Sequence, residues 1–147
     1  MSRPVLPGRP GGVTALAVFF AVGAAISLVT TIALLVPGGV LEPIWRLNPR
    51  ARAGFAALGG WAPVLLAMVG FACAVAARGL WTGRHWGHRL AIALLAVNLA
   101  GDGASAVLGA EPRALAGIPI VVLLLLFLAT GRVRAYFAER PAGSLSP

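Results

Sequence analysis

Residues Val13 to Val36 form 24 consecutive positions without a charge, closed by Pro37-Gly38-Gly39. As an α-helix rising about 1.5 Å per residue, such a run crosses a hydrocarbon core of roughly 30 Å with length to spare. Arg3 and Arg9 precede it, as in the basic start of a signal peptide. A signal core is only about 7–15 residues, however, so an uncleaved first span is the favoured reading.

The composition leaves no water-soluble alternative. The AVILMFWYC residues make up 59% of the 147-residue chain and 19 more residues are glycine. The 12 basic residues are all arginine and face 4 acids, giving a net charge of +8. That is too little polar surface for a soluble globule, a disordered tail or a coiled coil, since an average domain is about 25% charged. The arginines lie in small groups between apolar runs, a pattern of membrane orientation and not of nucleic-acid binding. A single cysteine, Cys73, excludes a disulfide framework and a Cys-x-x-Cys pair, and two histidines, His85 and His88, in one short polar stretch exclude a haem held between helices by paired imidazoles.

Three further apolar stretches follow. Residues 37–57 form a long connection in which Ile44, Trp45, Leu47 and Phe55 alternate with Arg46, Arg50 and Arg52 and prolines stand at 43 and 49. This mixture predicts a short segment at the bilayer surface with the Trp45 ring at headgroup depth, or alternatively a substrate-gating element. A second span is predicted over 58–77 with Pro63 in its first turn, then a basic linker over 78–89, RGLWTGRHWGHR. A third span covers 90–110 and a fourth 114–131. Arg132, Arg134, Tyr136, Phe137 and Arg140 then read as an interfacial anchor before a mobile tail at 141–147. The expected architecture is all-α: one four-helix integral membrane bundle over residues 1–140, with an interfacial segment between helices 1 and 2. Arginine counts place both termini and the 78–89 linker in the cytoplasm, with Arg46, Arg50 and Arg52 discordant on the outside.

Helices in lipid associate through small residues. The first span offers two such stripes, Ala17/Ala21/Ala25 and Gly23/Ser27/Thr31, and the second offers Gly70 and Ala74. Asn98, Asp102 and Ser105 share one face of the third span by their offsets of four and three. A carboxyl within the bilayer costs several kcal/mol unless it is protonated, paired or wetted, so Asp102 is a candidate ligand or ion site. The alternative is structural: Gly101 and Gly103 end or kink the helix beside Asp102, and Asn98 ties it to a neighbour.

Trp81, Arg84, Trp86 and Arg89 are candidates for contact with anionic lipid headgroups. His85 and His88 lack the acid or thiol companions that a zinc site requires, and Cys73 reads as a packing residue. No phosphate-binding glycine loop, Ser-His-Asp set or metal-binding helix motif occurs, so no catalytic residues, metal or cofactor are expected. Four short spans also characterise small multidrug exporters, but those rely on an acid in the first span, where this chain has none.

Three blocks carry a resemblance: RPGGVTAL from Arg9, GLWTGRHWGHRLAIALLAVNLAGD over 79–102, and RALAGIP from Arg113. Together they resemble small four-span bacterial integral membrane proteins of unknown function, which begin Arg-Pro-x-Gly-Val and carry a Gly-Leu-Trp basic turn. The resemblance implies four spans and a bacterial inner-membrane location and brings no activity. The use of Arg in place of every Lys also fits a GC-rich genome. The expected function is a non-enzymatic packing or assembly partner in a membrane complex or homo-oligomer. The alternatives are a small transporter or channel component using Asp102 and, behind it, a membrane enzyme acting on lipid or isoprenoid, for which the one acid lacks a second acid or metal partner.

Overall fold

The computed structural model describes residues 10–107 and 114–138, with side chains described for 10–104 and 117–138. Among them the chain is all-helical: α1 (Gly11–Leu35), α2 (Ile44–Leu47), α3 (Pro49–Leu58), α4 (Trp61–Trp81), α5 (His85–Val107), α6 (Ala114–Ala129) and α7 (Gly131–Ala138). Both α1 and α4 are long and apolar enough to cross a membrane, and α6 with α7 would form a third such element, bent by 55°, if the pair is one span. Arg3, Arg9, Glu111, Arg113, Glu139, Arg140 and the 141–147 tail lie outside the described residues, as does the side chain of Ser105.

The four apolar runs read as spans are helical, as α1, α4, α5 and α6, but α5 is not among the helices long and apolar enough to cross a membrane. The stretch read as a linker at 78–89 is almost entirely helix. Helix α4 continues to Trp81 and α5 begins at His85, so only Thr82, Gly83 and Arg84 turn the chain. Gly83 makes that turn with φ +66°, a left-handed conformation that a side chain would strain. The two helices then meet without side chains between them: a Cβ on Gly79 would lie 2.6 Å from the Gly87 Cα. The spacing of glycines in GLWTGRHWG is thus the spacing that lets two backbones touch across a tight hairpin.

The chain groups into two compact units. One comprises the described residues up to Val18 and from Val75 onward, the other Phe19–Ala74. Within the first unit Val13, Leu16, Leu80, Ala91, Leu95, Leu128, Val133, Tyr136 and Phe137 are buried, and Gly12 backs onto the Phe127 ring so closely that a side chain would overlap it.

In the second unit Gly70 of α4 sits over Ser27 of α1, where an added Cβ would lie 2.9 Å from the Ser27 Cβ, and Gly23 faces Cys73 at 3.9 Å. Ser27 and Thr31 are buried, and the Thr31 hydroxyl donates to the Ser27 carbonyl at 2.7 Å, which satisfies it inside its own helix. The seam in this unit is therefore the Gly23/Ser27/Thr31 stripe; of the other stripe, Ala21 and Ala25 are exposed, while Ala17, in the first unit, is buried.

Between α1 and α4, Asn48 caps α3 by accepting from the Ala51 N–H at 3.2 Å, with Pro49 at the first helical position. Trp45 is buried edge-on against Phe55, their centroids 6.0 Å apart. Glu42 closes the connection by accepting from the Gly38 N–H at 3.1 Å and pairing with Arg52 at 2.6 Å. The Gly38 bond is the largest influence holding the Glu42 carboxyl below its ordinary 4.5, and the Arg52 guanidinium adds to it against a partly opposing desolvation.

Candidate functional site

The polar residues of α5 sit on one continuous helix. The helix does not end at Gly101–Gly103, the structural alternative raised for Asp102, because α5 runs through both glycines to Val107. Asn98 and Asp102 do share a face: the Asn98 side-chain N–H donates to Asp102 Oδ2 at 3.1 Å. Asn98 is exposed and Asp102 half-buried.

The same Asp102 oxygen lies 3.1 Å from where a Cβ on Gly117 of α6 would begin. Glycine at 117 therefore leaves room for the carboxyl to rest on the neighbouring helix. An acid that accepts one hydrogen bond from its own helix and lies against the backbone of the next can fasten two helices, or exchange a proton or small cation at its remaining lone pairs.

By sequence His88 belongs to a polar linker, and the structure makes it a buried hub. Its Nε2 lies 3.0 Å from the main-chain oxygen of Leu128. A carbonyl only accepts, so Nε2 carries the proton and donates. The Leu128 carbonyl is available because α6 breaks at Thr130, whose amide and hydroxyl both turn back to the Phe127 carbonyl at 3.1 and 2.7 Å. The His88 ring also packs on Phe137, centroids 4.9 Å apart, and Phe137 meets Tyr136 edge-on at 5.1 Å.

Tyr136 and Phe137, read from the sequence as an interfacial anchor, are thus 3% and 1% exposed. The available signal was the spacing Val133, Tyr136, Phe137, which is three and four apart and puts all three on one face of α7.

Trp81 and Trp86 are 55% and 42% exposed, and Arg84 and Arg89 are exposed beside them. Cys73 contributes packing at the α1–α4 seam. Among the described residues no three His, Cys, Asp or Glu side chains come together as a metal site.

No known family model, curated protein or solved structure matches the chain.

Proposed function

We propose that this chain is a non-enzymatic, four-span protein of the bacterial inner membrane with both termini cytoplasmic, serving as a packing partner in a membrane complex or homo-oligomer. The observation that carries this reading is an open groove of about 360 Å³ on the α1–α4 pair, lined by Ala24, Ala25, Thr31, Ala67, Gly70 and Ala74 among others. Lipid supplies no hydrophobic drive for helix association, so small-residue grooves of this kind are where a further helix approaches closely enough for dispersion to hold it.

Extraction into nanodiscs directly from the native membrane, followed by native mass spectrometry, tests the reading. The expected species exceeds one chain and falls to one chain when Ala67→Trp fills the groove. A bare single chain under every extraction condition overturns it.

A second reading, transport or conduction through an ionisable Asp102, draws on the Asn98–Asp102 pair beside Gly117. In that case Asp102→Asn abolishes function while insertion and folding persist.

A further inference from the structure

We propose that the arginine-rich end of the first unit is a binding site for an anionic phospholipid whose headgroup carries two phosphates, with α7 supplying half of the site. The inference rests on the membrane reading above.

Arg78, Arg84, Arg89, Arg132 and Arg134 are all exposed in this unit. The only ion pair among the described residues, Arg52 with Glu42, lies in the other unit. The first unit's one described acid, Asp102, stands about 25 Å along α5 from His85. This cationic end consequently has no internal counter-charge among the described residues.

The arginines arrive on separate elements. Arg84 and Arg89 belong to the hairpin closed by the Gly79–Gly87 contact. Arg132 and Arg134 flank Val133, which is buried, so they leave α7 along the two edges of its packed face. The His88 bond to Leu128 and the His88–Phe137 ring contact hold α7 at the same end of the unit as the hairpin.

Guanidinium groups bind phosphate through paired N–H donors, and one phosphate is well served by two of them. Four arginines divided between two elements therefore match two linked phosphates better than one. Trp81 and Trp86, exposed among these arginines at the ends of apolar helices, place the cations where headgroups and acyl chains meet, which selects a lipid over a soluble phosphate.

The test uses the full chain in phosphatidylcholine nanodiscs doped with diphosphatidylglycerol, or with phosphatidylglycerol at equal phosphate, and reads retained lipid by native mass spectrometry after detergent extraction. One diphosphate lipid per chain is expected to persist, with retention falling about tenfold in Arg132→Gln/Arg134→Gln. The charge-matched Arg46→Gln/Arg50→Gln variant, in the other unit, is expected to retain it fully. Excess inorganic pyrophosphate is expected not to displace it. Equal retention of phosphatidylglycerol, equal loss in the two double variants, no loss in the α7 variant, or displacement by pyrophosphate would each overturn the proposal. Insertion is scored separately by carbonate extraction. A wild-type chain that fails to insert overturns the membrane reading as well, whereas insertion without lipid retention overturns this inference alone.

Discussion

His88 and Leu128, 40 residues apart, are joined where the imidazole N–H meets a main-chain carbonyl at 3.0 Å. The contact supplies a partner for a carbonyl left over by the break between α6 and α7, and the same ring then serves as a platform for Phe137. One side chain near the start of α5 thus accounts for both the capped end of α6 and the return of α7.

His88→Ala removes both contacts and leaves the buried Leu128 oxygen without its donor, a loss of about 1–3 kcal/mol. Hydrogen exchange in α7 is expected to accelerate while α4 keeps its protection. Phe137→Ala, by removing a side chain that is 1% exposed, is expected to free α7 similarly at about 3–5 kcal/mol. Unchanged α7 exchange in both variants would show that the clamp contributes nothing.

Alanine at Gly79 or Gly87 drives a methyl group into the opposite backbone, and the thermal midpoint in detergent is expected to drop by the equivalent of about 1–3 kcal/mol. Gly101→Ala meets nothing within 4 Å and sits inside α5, so it is expected to stabilise by about 0.5–1 kcal/mol through helix propensity. Equal behaviour of the two kinds of variant would contradict the hairpin contact.

At the α1–α4 seam, Gly70→Val places branched carbons onto Ser27, while Ser27→Ala removes only a hydroxyl. Gly70→Val is therefore expected to separate the two helices, read as lost cross-linking between cysteines introduced at 27 and 70 flanking positions, and Ser27→Ala to leave it intact.

Glu42 gives the connection between α1 and α4 a pH dependence of defined sign. Its carboxyl titrates below 4.5 in the folded protein because the Gly38 N–H and Arg52 favour the charged form. The stabilisation is complete above the unfolded value and is lost as pH falls through the lowered folded value. Trp45 fluorescence, monitored from about pH 7 down to about pH 3, is expected to report loosening at the acid end, and Glu42→Gln to lack that transition. Identical curves for the two proteins would remove Glu42 as the cause.

Asp102→Ala deletes the acceptor of the Asn98 bond and the carboxyl lying against Gly117. Faster exchange near Asn98 with unchanged protection at Leu95 is expected. Loss of protection along all of α5 would instead make Asp102 a fastener of the whole helix.

The sequence by itself determined where the apolar helices lie, since uncharged runs, prolines and glycine pairs bound them, and it placed Asn98 and Asp102 together because four residues make one helical turn. It did not determine how each helix is rotated about its axis. A helix in lipid is apolar all round, so the stripe Ala17/Ala21/Ala25 and the stripe Gly23/Ser27/Thr31 look equally able to pack, and only the contact with Gly70 distinguishes them. Nor did it show that residues 78–89 are helix, because arginine and histidine mark a membrane boundary whether or not the backbone turns there. The burial of His88 was decided by tertiary structure alone. A polar ring becomes a core residue only when a distant helix break offers it a carbonyl, and that break lies forty residues further along the chain.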